Sequence, residues 1–160
     1  MTIIGIDPGY AIVGYGIIRY ERNRFSVLDF GAVTTPAGME FPKRLKTIHE
    51  DLSYLFDKYR PDAMSIEKLF FNTNKTTAVD VAQARGVILL TAADCGTKVY
   101  EYTPLQVKQS VVGYGRAEKK QVQEMTRQLL GLSAVPKPDD TADALAMAIC
   151  HAHSSSSLFF

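Results

Sequence analysis

Four acidic residues are the side chains whose type and spacing most clearly suggest chemistry. Asp7 and Glu67 each end a short apolar run typical of a buried strand. Asp140 and Asp143 stand three residues apart in an alanine-rich stretch, so on a helix they share one face. Ligands usually bind at strand ends in an open α/β sheet. If the two strands are neighbours and the helix packs beside them, the four carboxylates meet at one place.

Carboxylates brought together in this way indicate a metal site. They repel one another and raise each other's pKa unless cations lie among them. Hard oxygen ligands favour Mg²⁺ or Mn²⁺ over zinc. Two such ions about 3.5–4 Å apart would stabilise both the attacking and the leaving oxygen of a phosphoryl displacement.

Each acid also has an ordinary structural explanation, which spacing alone leaves open. Asp7 precedes Pro8-Gly9 and suits a turn, and Glu67 suits a solvated strand end. Asp139 and Asp140 both stand where the last helix is predicted to begin, so either suits the N-cap. The three-residue step to Asp143 favours Asp140 as the functional member of this doublet.

The elements that must position these acids follow from hydrophobic periodicity and from turn residues. Gly14 and Gly16 indicate close backbone approach on one face of the second strand, and Gly86 indicates close packing of the second helix. The first three strands are joined by short connections and are therefore predicted to pair as an antiparallel meander. The βαβ units follow this meander in the chain. The result is an α/β fold with a mixed five-stranded sheet flanked by helices on both faces. We predict strands over 2–7, 11–20, 25–34, 63–67 and 97–102, and helices over 42–60, 76–94, 117–130 and 140–152, with a short helix after Pro104.

Charge is nearly balanced over the whole chain but not along it. The formal net charge is +1, whereas the segment from Thr103 to Pro138 carries an excess of four positive charges. A basic face beside an acidic pocket suits a metal-dependent enzyme acting on a polyanion. The segment holds the bases Lys108, Arg116, Lys119, Lys120, Arg127 and Lys137, and the acids Glu118 and Glu124.

Other classes of protein are excluded or disfavoured by composition. No apolar run approaches the roughly 18–20 residues of a spanning helix, and the N-terminus lacks the basic region of a secretory signal. We therefore expect a cytoplasmic protein in which Cys95 and Cys150 are buried, reduced thiols. We expect His49 on the outer face of the first helix, and no catalytic role for any histidine.

An ordered set of motifs resembles the RuvC family of Holliday junction resolvases, within the ribonuclease H-like superfamily. The resemblance covers the chain up to its serine-rich end and implies a single ribonuclease H-like nuclease domain over 1–153 with a short tail over 154–160. The motifs are Gly5-Ile6-Asp7-Pro8-Gly9, Ser65-Ile66-Glu67 followed by Phe70, Gln83-Ala84-Arg85-Gly86, Val107-Lys108-Gln109, Val112-Gly113, Ala117-Glu118-Lys119, and Asp140-Thr141-Ala142-Asp143-Ala144-Leu145-Ala146.

The resemblance implies that Asp7, Glu67, Asp140 and Asp143 form a catalytic tetrad binding Mg²⁺, two ions per site, with Mn²⁺ as a substitute. It implies a homodimer that cuts four-way junction DNA with two symmetric nicks in homologous recombination and DNA repair. Water is then the nucleophile, and the ends are a 5′-phosphate and a 3′-hydroxyl. The expected partners are the junction and a branch-migration motor of the RuvA and RuvB type.

DNA contacts are expected on both sides of the acids. Phe70 or Phe71 would stack on a base left unpaired at the crossover, worth roughly 1–3 kcal/mol per base. Basic side chains would contact phosphates, and Lys108 and Lys119 match family positions. The full expected set is Phe70, Phe71, Lys68, Lys75, Lys108, Arg116, Lys119 and Lys120, with Arg127 as a further candidate.

Three other functions compete with this one. A nuclease of the same fold would cut an RNA–DNA hybrid at a similar metal site. A phosphotransferase of the actin and sugar-kinase type also starts with a strand and an acidic turn, but needs a second domain for which 160 residues leave no room. A non-catalytic junction-binding module would not need all four acids.

Overall fold

The computed structural model of the protein describes residues 1–69 and 75–157, apart from the side chains of Lys75 and Ser157. Within that part of the chain, five strands and five helices follow one another in the predicted order. The strands are β1 (Thr2–Asp7), β2 (Ile12–Glu21), β3 (Arg24–Thr34), β4 (Ala63–Glu67) and β5 (Lys98–Tyr102). The helices are α1 (Phe41–Tyr59), α2 (Lys75–Asp94), α3 (Pro104–Val112), α4 (Lys119–Leu130) and α5 (Asp139–Ser157). No helix among the described residues has the length and apolarity to cross a bilayer.

The sheet has the strand order β3-β2-β1-β4-β5. Its first three strands pair antiparallel, whereas β1 with β4 and β4 with β5 pair parallel. The predicted mixed five-stranded sheet is thus confirmed. Since β1 lies at the centre of the sheet and apolar clusters cover both of its faces, its sequence is nearly continuously apolar.

Helices cover the two faces of this sheet and divide the core into two halves. Ile4 and Ile6 pack with residues of α1 and α2 in one apolar cluster. Ile3 points the opposite way and packs with residues of α3, α4 and α5 in the other. This alternation is the two-residue period of a strand, and it assigns every odd-numbered residue of β1 to the face that α5 covers.

The last helix is longer than the sequence pattern predicts, because the serines do not end it. Helix α5 runs through Ser157, so the boundary expected near 152 is wrong. The Ser154 and Ser156 hydroxyls donate to the main-chain carbonyls of Cys150 and Ala152, at 2.8 and 2.9 Å. Serine side chains that bond to the preceding turn in this way remain within a helix.

Three smaller expectations are also wrong. His49 does not face outward, because its Nδ1 lies 2.8 Å from Thr91 Oγ1 on α2. Cys95 is exposed, while Cys150 is buried as expected. Gly86 is exposed, and a Cβ built on it would meet no atom within 4 Å.

Candidate active site

Two of the predicted acids end neighbouring parallel strands. The register pairs Ile6 with Ile66, so Asp7 and Glu67 follow side by side at the carboxyl ends of β1 and β4. Both belong to the face that α5 covers, since the buried Ser65 donates from its hydroxyl to the Met147 carbonyl at 2.6 Å. Their adjacency, which the sequence left conditional, is therefore observed.

Glycines in β1 and β2 let α5 approach the sheet backbone directly. A Cβ on Gly5 would overlap the Ala144 carbonyl oxygen, and a Cβ on Gly14 would overlap that of Asp140. Gly14 pairs with Asp7 across the β1–β2 ladder. Because Gly14 has no side chain, the first turn of α5, which carries Asp140, lies next to the end of β1.

The acids border a cavity of about 280 Å³ between the sheet and three helices. One part of its wall is charged, with acids from the strand ends and α5 opposite lysines from α3 and α4. The rest of the wall is largely apolar. The lining residues are Asp7, Glu67, Pro104, Val107, Lys108, Lys119, Val122, Asp143, Ala146 and Met147.

Burial and mutual repulsion make the acids hard to ionise together. Burial, followed by the charges of Asp143, Asp140 and Glu67, raises the pKa of Asp7 from 3.8 to about 8. Burial and the charge of Asp143 raise the pKa of Glu67. Burial also raises the pKa of Asp143, although Lys119 opposes that shift. The carboxylates therefore act on one another as a single electrostatic cluster.

Salt bridges to lysines distinguish Asp139 from its neighbour Asp140. Lys119 Nζ lies 3.5 Å from a carboxylate oxygen of Asp139 and 3.5 Å from one of Asp143. Lys137 lies 3.6 Å from Asp139, and the two lysines, chiefly Lys119, lower the pKa of Asp139. Asp140 instead shares a side-chain hydrogen bond with Asp7. Of the doublet, Asp140 joins the buried acids and Asp139 joins the exposed lysines.

Helix caps place the two lysines at the mouth of the cavity. The side chains of Thr103 and Gln106 each accept a hydrogen bond from the main-chain N–H of the other, which forms a capping box. This box fixes where α3 begins and therefore the direction in which Lys108 points from the helix. Gln121 accepts from the Glu118 N–H at 2.7 Å, which fixes the start of α4 at Lys119. The predicted start at 117 is thus two residues early.

The four acids suit the expected Mg²⁺ by the chemistry of their oxygens, but less well by their arrangement in space. All four acids offer hard oxygen ligands, and the pKa of Asp7 is raised by burial and by negative charge that a divalent cation would neutralise. Within residues 1–69 and 75–157, however, no three His, Cys, Asp or Glu side chains are grouped so as to hold one ion. One of the acids, Asp143, is instead paired with Lys119 at 3.5 Å.

The remaining predicted DNA contacts are not all brought together. Lys68 and Arg116 are exposed, one just after β4 and the other between α3 and α4. Lys120 lines a separate groove with Glu124, and Arg127 is paired with Glu124 at 2.6 Å. Phe70 and Phe71 lie outside the described residues, as does the side chain of Lys75.

One residue next to the site, Arg85, appears in the sequence analysis only as part of a motif and is given no function there. Arg85 on α2 is buried, and its guanidinium donates to the main-chain oxygen of Glu67. The available signal was the single charged residue in the stretch 81–93 of this helix. The apolar wall of the cavity was also missed, since its residues read as ordinary core.

Comparison with known proteins identifies the family. The family model for crossover junction endodeoxyribonuclease RuvC matches residues 3–151. A crossover junction endodeoxyribonuclease RuvC from Alkaliphilus oremlandii is 62% identical over 154 residues, which cover 96% of this chain and 94% of that protein.

Solved structures agree with this assignment. The RuvC structure of Thermus thermophilus has a TM-score of 0.91 and 34% identity, covering 98% of this chain and 96% of the other. The T. thermophilus RuvC in complex with a Holliday junction substrate gives a TM-score of 0.90 at 33% identity, with the same coverage. The likeness confirms the ribonuclease H-like fold, and the chain belongs to the RuvC family of crossover junction endodeoxyribonucleases.

Proposed function

We propose that this protein resolves Holliday junctions by cutting DNA at a four-way crossover with paired, symmetric, metal-dependent nicks. One observation carries the proposal: in a member of the RuvC family, half-buried acids from two strand ends and α5 border one cavity with Lys108 and Lys119. The acids suit a cation-assisted displacement at phosphorus, and the lysines suit the phosphate backbone.

We infer that Asp7, Glu67, Asp140 and Asp143 are the catalytic and metal-binding residues, and that Mg²⁺ is the metal, two ions per site, with Mn²⁺ as a substitute. Bound Mg²⁺ supplies charge that activates water and stabilises the leaving oxygen. Burial, together with the negative potential of the other acids, raises the pKa of Asp7 to about 8, and that potential supports this assignment.

The two lysines have a separate task in this proposal. Both line the cavity, and Lys119 is more than half exposed while bridging Asp139 and Asp143. An ammonium in this position attracts a phosphate and moves away from the aspartates when the backbone binds. Lys68 and Arg116 are exposed and would extend the phosphate contacts beyond the cavity. Lys75 and Lys120 are proposed contacts on the resemblance alone, as are Phe70 and Phe71 for base stacking.

Water attacks the phosphorus and the bond from phosphorus to the 3′ oxygen breaks, so that the ends are a 5′-phosphate and a 3′-hydroxyl. Two symmetric nicks across the junction require two active sites. The protein therefore acts as a homodimer, together with a branch-migration motor of the RuvA and RuvB type. Its place of action is the cytoplasm, where the recombining chromosome lies.

A cleavage assay on a synthetic mobile four-way junction tests the proposal. Linear duplex and an RNA–DNA hybrid of matched length are the control substrates, each in Mg²⁺ and in chelator. We expect paired symmetric nicks in the junction alone, only with Mg²⁺. Cleavage of the hybrid would favour an RNA-processing nuclease of this fold, and binding without cleavage would favour a junction-binding module.

A further inference from the structure

A buried arginine links the site to the second helix. Arg85 lies on α2 with a side chain only 10% exposed. Its Nε and Nη2 atoms donate to the Glu67 main-chain oxygen at 3.4 and 3.3 Å, and Nη2 also donates to a Glu101 carboxylate oxygen. One guanidinium thus joins α2, the end of β4 and the end of β5.

These contacts restrain the residue that bears a predicted metal ligand. The β4–β5 ladder reaches Glu67, which is in register with Tyr102, and the next N–H, that of Lys68, donates to the Tyr102 carbonyl at 2.8 Å. Arg85 bonds the Glu67 carbonyl from the side of α2. The backbone of Glu67 is thereby held from two directions immediately before the chain leaves the sheet.

Burying the Arg85 guanidinium is a costly way to stabilise the fold. Burying a guanidinium sacrifices hydration, and replacing a buried ion pair by apolar residues is often neutral or stabilising. Glu101 is 48% exposed, so solvent weakens its attraction for Arg85. The planar fork of donors is specific for two acceptors at fixed positions. Geometry, more than stability, explains why an arginine is buried here.

We propose that Arg85 is a positioning residue that fixes Glu67 for metal binding by holding its main-chain carbonyl, with Glu101 orienting the guanidinium. The proposal rests on the proposed function in so far as Glu67 is a metal ligand. Partners outside the ligand shell typically alter metal affinity or activity by about 10–100-fold, which sets the size of the effect to expect.

Mn²⁺ binding to the full-length protein, followed by electron paramagnetic resonance of the free ion, tests the proposal without relying on cleavage. The variants are Arg85→Met, Arg85→Lys and Glu101→Gln. Arg127→Met is the matched control, since Arg127 also pairs with a glutamate and donates to a carbonyl, that of Leu132, but does not line the cavity. Junction binding in chelator and thermal unfolding are measured for every variant.

We expect Arg85→Met to weaken Mn²⁺ binding by about 10–100-fold, and to raise the Mg²⁺ concentration for half-maximal cleavage in parallel. Arg85→Lys should recover part of the loss because it keeps one charged donor, and Glu101→Gln should give a smaller shift in the same direction. Junction binding in chelator should not change in the Arg85 and Glu101 variants, and Mn²⁺ binding should not change in Arg127→Met.

Wild-type Mn²⁺ affinity in Arg85→Met would overturn the proposal, as would an equal loss in Arg127→Met or a wild-type protein that binds no Mn²⁺. If Arg85→Met does not fold, the milder Glu101→Gln decides by the same criterion. A wild-type protein that binds Mn²⁺ but does not cut junctions would refute the proposed function, while the Mn²⁺ affinities would still decide the role of Arg85.

Discussion

At the scale of single residues, Asp7 is the centre of the acidic cluster. It is the residue whose pKa responds to all three of the other acids, and it lines the cavity together with both lysines. On the proposed function, binding of DNA and hydrolysis of DNA depend on different side chains. The lysines would supply the positive surface, and the acids would supply the potential that holds a divalent cation.

Asp7→Asn should abolish junction cleavage and leave junction binding intact, because it removes a carboxylate without reducing the basic surface. Cleavage in Mg²⁺ and gel-shift binding in chelator at low salt measure the two properties separately. Asp57→Asn, an exposed site on α1, is the matched control and should behave as the wild type. Loss of junction binding in Asp7→Asn would contradict this separation of roles.

The same residue should make the metal-free protein sensitive to pH. Folding raises the pKa of Asp7 from 3.8 to about 8, so the folded state holds a proton that the unfolded state releases. Its contribution to stability is complete below about pH 4, and it is lost as the pH rises towards 8. The Asp7 carboxyl thus lowers the stability of the metal-free protein as the pH rises from about 4 to about 8.

In chelator, the melting temperature of Asp7→Asn should exceed that of the wild type by a margin that grows from pH 4 to pH 8 and then levels off. Thermal unfolding at one-unit pH steps measures this margin. Saturating Mg²⁺ should reduce or reverse it, because the wild type alone retains the full ligand set. A margin that is constant with pH would mean that Asp7 titrates normally.

Sequence patterns predicted which acids come together but did not give their contacts. The apolar runs before Asp7 and Glu67 place these residues side by side at the ends of two strands, and the step from Asp140 to Asp143 lies on one helix, as observed. The sequence favoured Asp140 over Asp139 by its helical spacing from Asp143, but the pairing of Asp139 with Lys119, twenty residues earlier, could not be predicted. Arg85 was missed because its acceptor is a backbone carbonyl, which leaves no mark in the sequence.

At the scale of elements, the contact of α5 with the sheet positions half of the acids. Strand limits were predictable where apolar residues end at a charged residue, and β4 was predicted exactly. Helix ends were predicted less well, because hydrogen bonds that the hydrophobic period does not report decide them. The serine hydroxyls prolong α5, and the Glu118 cap delays the start of α4.

Gly14→Ala should destabilise the protein and lower its activity, because the new methyl group would overlap the Asp140 carbonyl and push the start of α5 from the sheet. Overpacking of this kind costs about 1–3 kcal/mol. Denaturant unfolding measures the stability, and junction cleavage measures the activity.

Gly31→Ala provides the matched control for that substitution. Gly31 is also a strand glycine, but its added methyl would meet chiefly the far end of the Tyr15 ring, which is free to shift. We expect a change of at most about 1 kcal/mol and activity close to that of the wild type. Equal losses for the two variants would show that the close approach of α5 at Gly14 is not what positions the acids.

At the scale of the whole molecule, the outer surface of α2 is notable because large apolar side chains on it are not covered by the rest of the chain. Val79 is 59% exposed and Leu90 is 58% exposed. They are eleven residues apart, which is about three helical turns, so they lie on the same face. The exposed Gly86 lies on this helix between them, where its missing side chain permits close approach. Exposed apolar surface of this kind indicates an interface.

The homodimer that paired nicking requires would use this face, with α2 of one protomer against α2 of its partner. A twofold axis through the interface places the same patch on both sides. The double substitution Val79→Asp and Leu90→Asp should convert the dimer to a monomer, since four buried carboxylates would face one another without cations. Sedimentation equilibrium measures the mass, and Leu105→Asp, an exposed apolar site on α3, is the control.

The monomeric variant should also change the reaction in a way that separates assembly from chemistry. The acids and both lysines that line the cavity come from one chain, so the proposed chemistry uses the side chains of a single protomer. We therefore expect the monomer to retain Mn²⁺ binding while losing the coordination of two nicks, so that a supercoiled plasmid bearing an extruded junction yields nicked circles instead of linear product. Linear product at the wild-type rate from a demonstrated monomer would contradict the need for a dimer. A dimer that persists despite both aspartates would place the interface elsewhere on the surface.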